Sequence, residues 1–327
     1  MKKIITWILL LTMVLGLFGC SQAGAPAETS PETTAEPTLS AAQKALDGKK
    51  VIIIGNSHTY VGNVVTQTYN SQPSQEKRSN NRGFFWIISQ RQGCNVEVTN
   101  WTFSSHGLSS IFMNPCSVEG ACYGKNHEEY LTDRYFDYVV IQPGVGTKSE
   151  ENIVTDIQYV VEFFRAVNPD VKFVLLGNTS VYGNNAQSKP YPGITGHYKT
   201  LAEEGFIMAD WGGLVDDLIH ERVKPEGSSM PYFKKSFIIK DGFHPNLLSG
   251  YIASVMLYCA ITGEKAENIP TDLFQESAMA TLLEGHLETK YVHPSDTNFH
   301  TALSVESELL GIHKLIDQYL EAKPYLQ

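Results

Sequence analysis

Five short strand-like runs constrain this chain more than any other feature: Val51 to Ile54, Val96 to Trp101, Tyr138 to Ile141, Val171 to Leu176 and Phe206 to Ala209. Val51-Ile52-Ile53-Ile54 shows no polar alternation. That is how a strand buried on both faces reads, and both faces are buried where helices cover a parallel sheet. Between the runs lie stretches with helical spacing, at Phe84 to Arg91, Asn152 to Ala166 and Ile194 to Glu204. Strand and helix in alternation build βαβ units, so the expectation is an α/β domain on an open, mostly parallel sheet of five strands.

Beyond the fifth run the pattern predicts helices at Gly213 to Arg222 and from about Asn246 to Ile261, with an irregular stretch from Pro225 to Pro231 and a short apolar run at Phe237 to Ile239 between them. In the tail, Leu303, Leu309, Leu310, Ile312, Leu315, Ile316 and Leu320 recur at helical spacing, which predicts an amphipathic helix over Ala302 to Leu320 that packs on the domain. There is no internal repeat and no second linker. Residues 48–327 therefore read as one domain, and 42% hydrophobic against 18% charged residues is enough apolar material for its core.

The first 19 residues read differently. Lys2 and Lys3 precede an apolar run from Ile4 to Phe18, the order of a secretory signal peptide. Leu17-Phe18-Gly19-Cys20 resembles a bacterial lipobox, which implies cleavage before Cys20 and lipidation of its thiol; the plainer alternatives are an ordinary signal peptide or an anchor helix. Residues 20–47 then form a flexible linker rich in Ala, Pro, Thr, Ser and Glu. The expected location is the outer face of the cytoplasmic membrane, or an outer membrane where the cell has one, with lipidated Cys20 as the only membrane contact. In such a compartment Cys116 and Cys122, within one loop, either close a disulfide or remain thiols. A formal charge of -10 with no basic stripe argues against nucleic acid as a partner. No Cys or His pattern has metal-ligand spacing, and no Gly-rich phosphate loop is present, so neither metal nor cofactor is expected.

Open α/β sheets bind ligands at the carboxyl ends of their strands. After the first strand stands Gly55-Asn56-Ser57-His58-Thr59, where a glycine turn would set a serine at a helix start among free backbone amides. Taken alone, Ser57 reads as a helix cap more readily than as a nucleophile. A nucleophilic serine needs a histidine base, and the histidine needs a carboxylate to fix its tautomer. Asp241-Gly242-Phe243-His244-Pro245-Asn246 carries both groups three residues apart, just before the helix that starts near Asn246.

These two segments resemble the SGNH/GDSL hydrolase superfamily, which has a Ser block after strand one and a C-terminal Asp-x-x-His block. The resemblance implies a three-layer α/β/α flavodoxin-like fold, with Ser57 as nucleophile, His244 as general base then acid, and Asp241 as its orienting partner. It also implies an oxyanion hole built from the amide of Ser57, from Gly107, and from an Asn after the third strand. This chain departs at the last point: Ile141-Gln142-Pro143-Gly144 stands there, so Gln142 takes the place in the hole, with Asn178 as the other candidate donor. His58 and His106 stand beside site residues and either touch substrate or pack. Tyr60, Trp101, Tyr182 and Tyr191 either stack on sugars or pack. The loops Asn70 to Arg82 and Val181 to Gly193 are long enough to shape an acceptor pocket.

The reading that follows is a serine esterase acting through an acyl-enzyme on small O-acyl esters, acetyl first, with carbohydrate or cell-wall glycan implied by the family and the export signal. Its substrate partner is then a small molecule or carbohydrate ester. The alternatives are an O-acyltransferase with the same triad and a lipid-tethered solute- or glycan-binding protein.

Overall fold

The computed structural model of the protein describes residues 39–66, 82–103, 107–112, 127–132, 134–143, 150–178, 195–238, 241–242, 244–287 and 298–326. The expected signal segment with Cys20, most of the expected linker, His106, Cys116, Cys122, Tyr182, Tyr191 and nearly all of the two long loops lie outside the described residues. Residues 39–327 form one compact unit.

Five strands, β1 (Lys50–Gly55), β2 (Glu97–Thr102), β3 (Tyr138–Ile141), β4 (Lys172–Leu176) and β5 (Ile207–Ala209), make a sheet of order β2-β1-β3-β4-β5. Every pairing is parallel; Ile52, for example, stands between Thr99 of β2 and Val139 of β3. This is the flavodoxin-like doubly wound order, and its chain direction switches at β1, leaving a crevice at the carboxyl ends of β1 and β3.

Both faces of the sheet are covered. Val51, Ile53, Val140, Val174 and Leu176 belong to one apolar cluster, and Ile52, Ile54, Val139, Ile141 and Leu175 to another. Alternate residues of one strand thus enter opposite cores, which is why Val51 to Ile54 reads as unbroken Val and Ile. The first cluster takes in α1 (Ala41–Leu46), α3 (Phe84–Arg91), α8 (Trp211–Ile219) and α10 (Leu247–Thr262), and the second takes in α4 (Leu108–Phe112), α6 (Glu150–Val167) and α7 (Tyr198–Glu203). The remaining helices are α2 (Ser57–Tyr60), α5 (His127–Leu131), α9 (Lys234–Phe237), α11 (Ser277–Leu287), α12 (Asn298–Ser304) and α13 (Glu306–Ala322). Helix α10 is buried on every side, from Leu247 to Cys259, so its sequence is apolar all round.

Most element boundaries shift by a few residues from the sequence expectation, and three differences go further. The domain begins before residue 48, because Ser40 caps α1 in a reciprocal box with Gln43, Ala42 and Leu46 enter the core, and Tyr138 Oη donates to Ala45 O at 3.1 Å. The tail is two helices, since Val305 is extended and breaks the run between α12 and α13. Finally, the apolar run at Phe237 is the end of the short helix α9, and Ile238 then bridges Pro245 in antiparallel fashion.

Candidate active site

The site is built where the sheet switches direction. β1 ends at Gly55, whose position admits no side chain: a Cβ there would lie 2.4 Å from Thr59 Oγ1 and 2.9 Å from Gln142 Oε1. The chain turns through Asn56, whose side-chain oxygen accepts the His58 N–H at 3.0 Å and caps α2. Ser57 is the first residue of that single turn, so its own N–H has no acceptor within the helix.

The second half of the site hangs on α10. Asn246 caps it through Ser249 N–H at 3.1 Å and donates from Nδ2 to Ser236 O at 2.8 Å, while its backbone N–H donates to Phe237 O. The loop ahead of α10 is thereby fixed at its downstream end. Upstream, Gly242 has φ +88°, a conformation glycine adopts without strain, and this folds Asp241 back over His244. Asp241 grips His244 twice: Oδ1 accepts the backbone N–H at 3.1 Å and Oδ2 lies 2.5 Å from ring Nδ1.

Two glycines join the halves. A Cβ on Gly250 would lie 1.6 Å from Gly62 O, and one on Gly62 would lie 2.9 Å from Gly250 Cα. The first turn of α10 therefore sits directly on the backbone just after α2. This contact carries His244 to Ser57, with Nε2 2.8 Å from Oγ. A carboxylate oxygen only accepts, so the proton on the ring is at Nδ1 and Nε2 offers its lone pair to the serine hydroxyl. Ser57, His244 and Asp241, chosen from sequence by residue type, thus form one hydrogen-bonded line.

Gln142 requires a correction. Its Oε1 accepts from Asn56 N–H at 3.2 Å and from Thr59 Oγ1 at 2.9 Å, and its Nε2 donates to Pro143 O at 2.7 Å and to Asn178 Oδ1 at 2.6 Å. The backbone N–H of Asn56 is an unambiguous donor, so the amide cannot be turned round. Both of its hydrogens are spent on protein acceptors, and Gln142 is a brace between the nucleophile turn and the end of β4 rather than an oxyanion donor. Asn178 is buried beside it and donates from Nδ2 to Pro143 O.

The other candidates separate by burial. Gly107 is half-buried ahead of α4, and among the described residues no atom beyond its chain neighbours lies within 4 Å of the place a side chain would take. His58 is buried with its ring against His244, which excludes it from a substrate-facing wall. Tyr60 and Trp101 lie in the two cores and are not sugar platforms. Cys94 and Cys259 are buried free thiols, and burial raises the pKa of each. A cavity of about 650 Å³, bounded by Phe206, Met208, Cys259, Leu320 and Tyr325, opens at the amino end of β5 and lies away from the triad.

Sequence reasoning missed Thr59, Gly62 and Gly250. The one available signal was Gly250 itself, since a glycine inside a helix costs about 1 kcal/mol against alanine and so marks a close approach.

No protein-family model and no curated protein sequence matches the chain. Among solved structures it is similar to an acetylxylan esterase from Geobacillus stearothermophilus, at 16% identity and a TM-score of 0.45, covering 68% of this chain and 97% of that one. It is also similar to a member of the lipolytic protein G-D-S-L family from Veillonella parvula, at 11% identity and a TM-score of 0.41, covering 63% of this chain and 94% of that one.

Proposed function

We propose that the protein is a serine esterase of the SGNH/GDSL type that removes small acyl groups, acetyl first, from carbohydrate hydroxyls. The observation that carries the reading is the unbroken line from Asp241 Oδ2 through His244 to Ser57 Oγ, with spacings of 2.5 and 2.8 Å, at the sheet's switch point. A serine aligned on a histidine that is itself fixed by a carboxylate is an activated nucleophile.

In this mechanism Ser57 Oγ forms a bond to the acyl carbon while its proton passes to His244 Nε2. The negative charge on the carbonyl oxygen is met by the Ser57 N–H and, following the family resemblance, by the Gly107 N–H. Collapse breaks the bond to the alcohol oxygen, which takes the proton from His244. Water then attacks the acyl-enzyme, gives a proton to the same nitrogen, and Ser57 leaves with that proton as the acid departs. Asp241 stays ionised throughout and stabilises the imidazolium.

The glycan substrate follows from the export signal and the lipobox: tethered through Cys20 outside the cytoplasm, the enzyme meets polymeric or oligomeric carbohydrate. A two-lobed solute-binding protein finds no support in the described residues, which form one unit around a single sheet.

The test is release of p-nitrophenol from p-nitrophenyl acetate by the full chain in detergent, with Ser57→Ala alongside, followed by release of acetate from acetylated oligosaccharides. Ser57→Ala is expected to lower kcat by roughly 10³-fold or more with the fold intact. Turnover that survives this substitution would overturn the reading.

A further inference from the structure

A second imidazole lies against the general base. His58 follows Ser57 in the chain, shares its single helical turn and is 3% exposed. Its ring centroid is 5.1 Å from that of His244, with the ring planes tilted by 35°. Consecutive helix positions diverge by about 100° around the axis, so Ser57 and His58 point in different directions from one turn. His244 touches both: Nε2 reaches Ser57 Oγ, and the ring lies against His58. The backbone holds His58 too, because its N–H donates to the Asn56 side chain at 3.0 Å.

The contact matters because the ring torsion of a histidine is soft, with broad wells in place of three sharp ones. Asp241 fixes one end of the His244 ring and leaves rotation about that contact open. The His244 side chain is 17% exposed, so most of its surroundings are protein. His58 is one wall among them. Burial pushes its pKa down to about 3, with His244 adding to the effect and Asp241 opposing it. His58 therefore stays neutral when His244 takes the serine proton, and no second cation competes for Asp241.

We propose, resting on the esterase reading above, that His58 is a positioning residue whose ring holds the His244 imidazole on the line between Asp241 Oδ2 and Ser57 Oγ through both half-reactions. A flat ring is what this task requires, and a protonatable one is not. The two properties are separable by substitution. His58→Phe keeps a planar side chain in the same space, whereas His58→Ala removes the wall, and a misplacement of about 1 Å costs on the order of 100-fold in rate.

The experiment uses the full chain, p-nitrophenyl acetate, a fluorophosphonate that labels activated serines, and the downfield proton resonance of His244 Nδ1–H. For His58→Ala we expect kcat to fall about 10- to 100-fold with KM within about twofold, labelling of Ser57 to slow in parallel, and the Nδ1 proton to broaden through solvent exchange. His58→Phe should restore kcat to within about threefold of the unsubstituted protein and sharpen the resonance. A folded His58→Ala with unchanged kcat overturns the proposal, as does a His58→Phe that is as slow as His58→Ala. Should His58→Ala unfold below the assay temperature, His58→Leu, bulky but not planar, is expected to show the same loss of kcat, and full activity there is equally fatal. An unsubstituted protein that neither turns over the ester nor takes the label would sink the esterase reading itself; one that labels normally, with His58→Ala labelling at the same rate, would sink only the role of His58.

Discussion

Gln142 shows how much hangs on the direction of one amide. As an oxyanion donor it would contribute only in the transition state, and Gln142→Leu would lower kcat about 10²- to 10³-fold at nearly constant stability. As the brace seen here it removes an acceptor from Asn56 N–H and Thr59 Oγ1 and a donor from Pro143 O and Asn178 Oδ1, all in buried surroundings. Gln142→Leu is therefore expected to cost about 2–4 kcal/mol of folding stability, read by urea unfolding. A variant as stable as the parent but catalytically impaired would return Gln142 to the oxyanion hole. Asp241 gives a second expectation at this scale. Asp241→Asn keeps an oxygen for the His244 backbone N–H but can present an amide hydrogen to Nδ1, which selects the wrong tautomer. A loss of roughly 10⁴-fold in kcat without loss of fold is expected. Ser57, Asp241 and His244 were legible in the sequence because their chemistry is written in their residue types and in the order of two short blocks. Gln142 was not, because a glutamine carries donor and acceptor together, and only its neighbours decide which end faces the reaction.

At the scale of elements, the alignment of Ser57 with His244 depends on the seat of α10 against the turn after α2. With a Gly250 Cβ placed only 1.6 Å from Gly62 O, Gly250→Ala must drive the two backbones apart by more than an ångström. Because His244 is fixed to the start of α10 and Ser57 to α2, that displacement lands on the 2.8 Å contact between them. We expect a 10²-fold or larger loss in kcat and a destabilisation of about 1–3 kcal/mol; equal activity in a folded Gly250→Ala would show that the contact does not set the triad. The first strand was legible because burial on both faces leaves no polar residue from Val51 to Ile54, and Phe84 to Arg91 was bounded to the residue. Helix α1 was not, since its segment is Ala-rich and follows a Pro and Thr tract, so composition outweighed the capping box at Ser40. Leu46 tests its standing in the domain. It is fully buried, and Leu46→Ala should lower stability by about 2–5 kcal/mol, whereas a linker residue would cost nothing.

For the whole molecule, burial shifts several titrating groups, and two histidines and one aspartate among them push the acid-range stability in opposite senses. Burial lowers His58 to about 3 and His313 to about 4, the latter a fully buried side chain on α13 whose Nε2 meets Tyr251 Oη of α10 at 2.9 Å. In the unfolded chain both bind a proton below about 6.5, so the unfolded state holds more protons and stability rises with pH up to that point. Asp210 acts in the opposite sense. Burial lifts its carboxyl to about 6 despite hydrogen bonds from Tyr319 Oη and Gly213 N–H. Between about 4 and 6 the folded state keeps the proton that the unfolded state has lost, and stability falls as pH rises. These histidines, together with His127, which burial also lowers, outweigh one aspartate, so the net expectation is a gain in stability from pH 4 to pH 6.5. The balance is testable by removing the opposing member. Asp210→Asn keeps an oxygen for Gly213 N–H, offers an amide hydrogen to Tyr319 Oη in place of the second acceptor, and cannot ionise, so the slope of unfolding free energy against pH between 4.5 and 5.5 should steepen. A slope that is unchanged in Asp210→Asn would show that this carboxyl is already ionised in the folded protein, and that the clamp between β5 and the C-terminal helix is a charged one.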